Sequence, residues 1–246
     1  GVWTNAARLG GYYSLKYYQN CQAFVGNTEG ICDYLRKQGV PAEKVHYIPN
    51  FIDERPLPAD DATQFPATQG DAGSILMAAG RLHRNKGFDV LIEALSAVPS
   101  ATLWLAGEGP ERTHLAQLAQ RLGVRDRVEF LGWQDDLRPY LQRADVFVCS
   151  SRIEPLGNVV LEAWRQGCPL VAARAAGPVE LITDGRTGSL CDLEDAAGMA
   201  RAITQLLGSA TQRQHYSAAG QEAYAAGFAR AQVVARYLQF FDTVKP

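Results

Sequence analysis

Between Ser74 and Arg174 the chain alternates short runs dense in aliphatic residues with longer runs whose apolar positions recur at intervals of three and four. The short runs SILMAAG, ATLWLAG, RVEFLG, DVFVCS and PLVAAR read as strands, since brief, nearly unbroken apolar runs suit strands covered on both faces. Between them GFDVLIEALSAV, GPERTHLAQLAQRLG, DDLRPYLQRA and GNVVLEAWRQG read as helices; in the first, Phe88, Leu91, Ile92 and Leu95 share one face. Regular alternation of strand and helix predicts parallel crossovers, hence α/β architecture with a Rossmann-like, doubly wound parallel sheet.

The same grammar appears once before this region. A polar and aromatic helix ending near Asn20 is followed by the strand AFVG, the helix TEGICDYLRKQG and the strand KVHYIPN. Residues 51–73, with Pro56, Pro58, Pro66 and several aspartates, read as a linker. From Asp195 onward the pattern is almost wholly helical. The expected organisation is therefore residues 1–50 as the tail of a partial N-terminal α/β domain, 51–73 as linker, 74–227 as the Rossmann-like domain and 228–246 as a last helix. Because Gly1 falls within a helical pattern, a preceding portion is expected.

Composition narrows the partners. Over 246 residues, 24 lysines and arginines against 26 aspartates and glutamates give a net charge of −2, which offers no general attraction to nucleic acid or an anionic bilayer. Any anion site must be local. Cys21, Cys32, Cys149, Cys168 and Cys191 are scattered and mostly set in apolar surroundings, the usage of reduced core thiols in a cytoplasmic protein rather than of a disulfide or metal framework. No apolar run approaches the ~18 residues of a membrane span.

Candidate chemistry lies in the loops that follow the strands, where open α/β sheets hold ligands. After the first long strand, GRLHRNKG combines a turn glycine, Gly80, with Arg81, Arg84 and Lys86; the order of residues is not that of a Walker A loop, but clustered cations there favour a phosphate. GEGPER, Gly107 to Arg112, lacks the third glycine of a dinucleotide fingerprint, and its glycines read as tight-turn residues. In SSRIEPLGNVVLEAWRQG, Pro155 and Gly157 permit a sharp turn into a helix starting near Asn158, whose N–H groups and dipole suit a diphosphate. Glu154 precedes that turn and Glu162 lies ~6 Å along the helix axis from its start. One carboxylate can reach a group beyond the phosphates while the other accepts hydrogen bonds from a diol, the layout of a nucleotide-sugar.

These motifs together (Gly80, Arg81, Leu82, Lys86 and Gly87; AGEGP; FLG at Phe130 to Gly132; Glu154 and Glu162; DGRTG at Asp184 to Gly188) resemble glycosyltransferase family 4, retaining enzymes of the GT-B fold. The similarity runs from about Ala23 to about Phe241 and departs from the usual wording at Phe51, Leu156 and Pro178. The resemblance implies that residues 74–227 are the C-terminal, nucleotide-sugar-binding domain of a hexosyltransferase. Arg81 and Lys86 would neutralise the leaving diphosphate, with Glu154 against the transferred sugar and Glu162 on the ribose hydroxyls. The amides of Leu156, Gly157, Asn158 and Val159 would hold sugar and phosphate oxygens, Gly80 would let the chain turn beside them, and Gly132 and Trp133 would border the base. It implies a glycan or lipid-linked acceptor, polysaccharide or lipopolysaccharide biosynthesis, and a last helix that crosses back to the first domain. With no Asp-x-Asp sequence to bridge a metal and diphosphate, no metal and no cofactor is expected.

The acceptor half and its histidine match nothing in residues 1–50, and His46, His83, His114 and His215 do not fill the role. Low or absent activity of this chain by itself is expected, with a catalytically silent nucleotide-sugar-binding module as the rival reading and a GT-B epimerase ranking below it. Peripheral contact with the inner face of the cytoplasmic membrane is assigned to the preceding half. Val233, Val234, Tyr237, Leu238, Phe240 and Phe241 are expected to be partly exposed and to favour self-association.

Overall fold

Each apolar run that ends in glycine becomes a strand in the computed structural model, which describes residues 20–52, 54, 65–66 and 73–244. The helix expected to end near Asn20 and most of the 51–73 stretch lie outside the described residues. In chain order the first elements are β1 (Phe24–Gly26), α1 (Glu29–Lys37), β2 (Val45–Tyr47), β3 (Ser74–Ala79), α2 (Phe88–Ser96), β4 (Ala101–Ala106), α3 (Arg112–Arg121) and β5 (Val128–Gly132). There follow α4 (Arg138–Arg143), β6 (Val146–Cys149), α5 (Asn158–Arg165), β7 (Leu170–Ala173), α6 (Ala176–Leu181), β8 (Ser189–Cys191), α7 (Ala196–Leu207), α8 (Ala210–Gly227) and α9 (Arg230–Thr243). The chain divides into two units, residues 1–52 with 227–246, and residues 53–226.

In the smaller unit β1 and β2 pair in parallel, with Phe24 opposite Val45 and Gly26 opposite Tyr47. Thr28 caps α1 by accepting a hydrogen bond from the Ile31 N–H at 3.1 Å, leaving Cys32 and Leu35 on the buried face. Gly26 is needed because the Cys32 thiol lies where a Cβ would stand, at 2.6 Å. In α9 the expected half-exposure holds for only part of the apolar face. Val233 alone is fully buried; Tyr237 and Phe240 are half-buried, the latter packed edge-on against His46 at 5.0 Å, and Val234, Leu238 and Phe241 are exposed.

The larger unit is built on a six-stranded parallel sheet in the order β5-β4-β3-β6-β7-β8. Strands β3, β4, β6 and β7 are almost entirely buried, as their unbroken apolar runs require. A core of Leu76, Leu91, Leu95, Leu103, Leu105, Val146, Val148, Ile203 and Leu206 fills the space between the sheet and helices such as α2 and α7. Two elements go beyond the sequence reading. Strand β8 is only three residues long, and α6 is a six-residue helix containing Gly177 and Pro178. Two residues of the expected linker are anchored to this unit: Phe65 stacks on Trp104 at 5.8 Å, and Glu54 accepts hydrogen bonds from the Tyr224 hydroxyl at 2.7 Å and, through its carbonyl, from Arg165 at 2.7 Å. Among the described residues no helix is long and apolar enough to cross a membrane.

Trp164 secures α5. Its indole is fully buried, its Nε1 donates to the Thr187 carbonyl at 2.9 Å, and Gly220 of α8 lies so close that a Cβ there would meet the ring at 2.4 Å. Replacing Trp164 with alanine removes both the packing and the donor, and should destabilise the protein by about 3–5 kcal/mol in urea unfolding.

Candidate functional site

The strand order places a topological switch point between β3 and β6: from β3 the chain moves outward through β4 and β5, then returns to the other side of β3. In such a sheet the crevice beyond the carboxyl ends at the switch point is the natural ligand site. Its two walls are the loop from Gly80 to Gly87 and the loop from Ser150 to Gly157.

Glycine lets these loops meet backbone to backbone. Gly87 has φ +61°, and a Cβ there would stand 2.1 Å from the Ser150 carbonyl oxygen. The Ser150 hydroxyl donates to the Lys86 carbonyl at 2.9 Å, and the Arg152 and Ile153 amides both donate to the Asn85 carbonyl at 2.8 and 3.1 Å. The third loop closes in the same way. Gly107, at φ +132°, would carry a Cβ 1.9 Å from the Gly80 oxygen, and the Leu82 amide donates to the Glu108 carbonyl at 2.8 Å. The GEGPER glycines, read from the sequence as tight-turn residues, are therefore close-approach residues. On the far side the Gly177 amide donates to the Glu154 carbonyl at 2.7 Å, so α6 supports the loop that carries Glu154.

At the crevice the Lys86 ammonium donates to the Glu154 carboxylate at 2.5 Å, although the two residues are 68 positions apart. The Lys86 stem lies over Gly80, where a Cβ would meet its Cε at 3.0 Å. Glu154 is nearly buried and accepts further hydrogen bonds from the Ser151 hydroxyl at 3.3 Å and the Gly157 amide at 3.4 Å. Gly157, at φ +72°, is the N-cap of α5 and brings no side chain of its own to cap it. The first amides of a helix have no intrahelical acceptor, and the dipole there is positive. One turn into α5, the Glu162 carboxyl is pushed up to about 7, first by burial and then by the charges of Asp136 and Glu154, with Lys86 partly offsetting them. Glu162 thus lies within the electrostatic reach of both Lys86 and Glu154.

The expected residues are not all gathered equally. Gly80, Lys86, Glu154, Gly157 and Glu162 converge on the switch point, and Leu156, Asn158 and Val159 accompany the α5 start. Arg81 is exposed on the same loop and, among the described residues, makes no ion pair or side-chain hydrogen bond. Gly132 ends the edge strand β5 at φ +70°, and Trp133 beyond it is 71% exposed, its indole donating to Asp135 at 2.8 Å. Asp136, read from sequence as a helix-start residue, does accept the Arg138 amide at 2.9 Å, but its charge also reaches Glu162. Its adjacency to Asp135 carried no signal of that second relation. Among the described residues no three His, Cys, Asp or Glu side chains cluster as metal ligands would.

The chain matches the family model described as glycosyl transferases group 1 over residues 73–209. It is 42% identical over 234 residues to the lipopolysaccharide core biosynthesis glycosyltransferase LpsE of Rhizobium meliloti (strain 1021), covering 95% of this chain and 68% of the relative. It is 39% identical over 239 residues to LpsD of the same organism, again spanning 68% of that protein. The Anabaena protein HepE, solved in complex with UDP, superposes with a TM-score of 0.80 at 24% identity, over 90% of this chain and 64% of that one. That likeness concerns the fold, the mixed α/β arrangement of GT-B glycosyltransferases expected from the sequence.

The raised Glu162 pKa sets the sign of a pH effect. The folded state binds the proton more tightly than the unfolded chain does, so the associated stability is fully present below about pH 4.5 and is lost as pH rises through about 7. Glu162→Gln removes this dependence. The variant should match the parent near pH 5 and exceed it by about 1–3 kcal/mol at pH 8 in chemical unfolding.

Proposed function

Because the chain belongs to the group 1 glycosyl transferases, we propose that it serves a retaining, family 4 transferase that moves a hexose from a nucleotide-diphosphate sugar to a glycan or lipid-linked acceptor in lipopolysaccharide or polysaccharide assembly. The observation that carries this reading is the meeting of Lys86 with Glu154 at the switch point, beside the glycine-led start of α5.

Breaking the bond between sugar and diphosphate leaves negative charge on the departing phosphate and oxocarbenium character on the sugar. Fixed positive groups aimed at the phosphate favour that charge separation, because they need no reorganisation as it develops. Lys86, Arg81 and the Asn158 and Val159 amides supply them. Glu154, held by Ser151 and Lys86, faces the sugar; Glu162, one helical turn along, accepts the ribose diol. Gly132 and Trp133 border the base. With two side-chain cations and helix amides provided by the protein, the reaction calls for no divalent metal.

The decisive experiment offers UDP-, GDP- and ADP-sugars to the protein with a lipid-linked or oligosaccharide acceptor, and follows nucleotide release together with the anomeric configuration of the product by NMR. Release of one nucleotide with the donor's configuration kept supports the reading; an inverted product overturns the retaining assignment. Lys86→Ala and Arg81→Ala should each lower the transfer rate by about 10²-fold or more, and a loss under threefold for both would remove them from the mechanism. Transfer should persist in EDTA, and its abolition there would show that a metal is required.

A further inference from the structure

Arg152 is not among the residues assigned above, yet every N–H of its guanidinium is used. Nη1 and Nη2 form a fork on the Asp89 carboxylate at 2.7 and 2.8 Å. Nε and Nη2 bind Glu194, the latter at 2.8 Å, and Nη1 also donates to the Arg84 carbonyl at 2.8 Å. Those are all five donors that an arginine has. The partners come from separate parts of the fold: Arg84 from the loop that carries Arg81 and Lys86, Asp89 from the first turn of α2, and Glu194 from the segment between β8 and α7. Arg152 itself stands two residues before Glu154.

Two further features indicate that this clamp holds against resistance. Glu194 is the one non-glycine residue with positive φ among the described residues, at +61°, a conformation that costs energy without glycine and persists where surroundings impose it. Burial opposes the Asp89 charge, yet the paired guanidinium keeps its carboxyl below the usual range, and Glu194 is likewise lowered by the same arginine.

We propose that Arg152 is a positioning residue. By fixing the Arg84–Asp89 side of one wall and Glu194 to the backbone just before Glu154, it sets the separation of Lys86 from Glu154 on which the transfer depends. Lysine cannot reproduce this, since an ammonium lacks the planar fork that grips Asp89 and Glu194 together. The inference rests on the transferase reading for its effect on rate, but its effect on geometry can be read without turnover.

The test uses Arg152→Gln, Arg152→Lys and, as a variant that retains the fold, Glu194→Gly, which suits the positive φ while removing one carboxylate. For both Arg152 variants kcat should fall about tenfold or more while the donor KM stays within about threefold, the pattern of a misplaced catalytic group. Glu194→Gly, which removes a mostly exposed limb of the clamp, should lose about threefold. Independently, acetylation of the Lys86 amine, followed by peptide mass spectrometry with Lys37 as internal standard, should be about fivefold faster in Arg152→Gln, because an amine no longer held in a charge-assisted hydrogen bond to Glu154 is more open to the reagent. Unchanged kcat and unchanged Lys86 reactivity in stable variants would overturn the proposal. If Lys86 becomes reactive but the parent neither binds nor turns over any nucleotide-sugar, the positioning role stands and the transferase reading falls. If the parent turns over normally and the variants match it, the reverse holds.

Discussion

The close approach of the β3–α2 loop to the β6–α5 loop is the constraint on which the remainder of the site depends. At Gly87 and Ser150 two backbones touch with no room for a Cβ, and the Asn85 carbonyl accepts two amides from the opposite wall. Only because the chains approach to this distance can Lys86 reach Glu154 across 68 positions of sequence. The parallel sheet makes the approach possible by setting β3 and β6 side by side; glycine makes it close.

The electrostatics follow from that proximity. Glu154 binds the Lys86 ammonium, and Glu162 lies within electrostatic reach of Lys86, Glu154 and Asp136, so three ionised carboxylates there would repel an incoming diphosphate. Asp136 is forked to Arg138 and Glu154 is paired with Lys86. Burial keeps Glu162 largely protonated below about pH 7. Much of the local negative charge is thereby cancelled or withheld, and Arg81 remains as a cation with no partner among the described residues. A cavity that is acidic by residue count can in this way accept an anion.

How much of this could be read from the chain follows from the range of each interaction. Strands β3, β4, β6 and β7 were legible because burial on both faces leaves an unbroken apolar run, the half-buried β5 because its short apolar stretch ends in a glycine, and Glu154 and Glu162 because the spacing along a helix is a local property. Strand β8 offers three residues in which polar and apolar positions mix, and α6 carries a glycine and a proline that disguise its single turn. The clamp of Arg152 on Asp89 and Glu194 had no local signature at all, since its partners lie 63 and 42 residues away. Phe65 and Glu54 looked like linker residues for the same reason: their partners, Trp104, Tyr224 and Arg165, are distant in sequence.

The position of β5 at the margin of the sheet has a different kind of consequence. Strand β5 pairs with β4 alone, and although the Gly132 carbonyl accepts the Gly107 amide, the Trp133 side chain beyond it is mostly exposed. Substitutions there disturb few neighbours, whereas a substitution at Gly87 or Gly107 disturbs the backbone itself. On the proposed reading the choice of base is therefore the most evolvable property of this scaffold. Paralogues could diverge in which nucleotide they accept by drift at the periphery while inheriting one unaltered diphosphate seat.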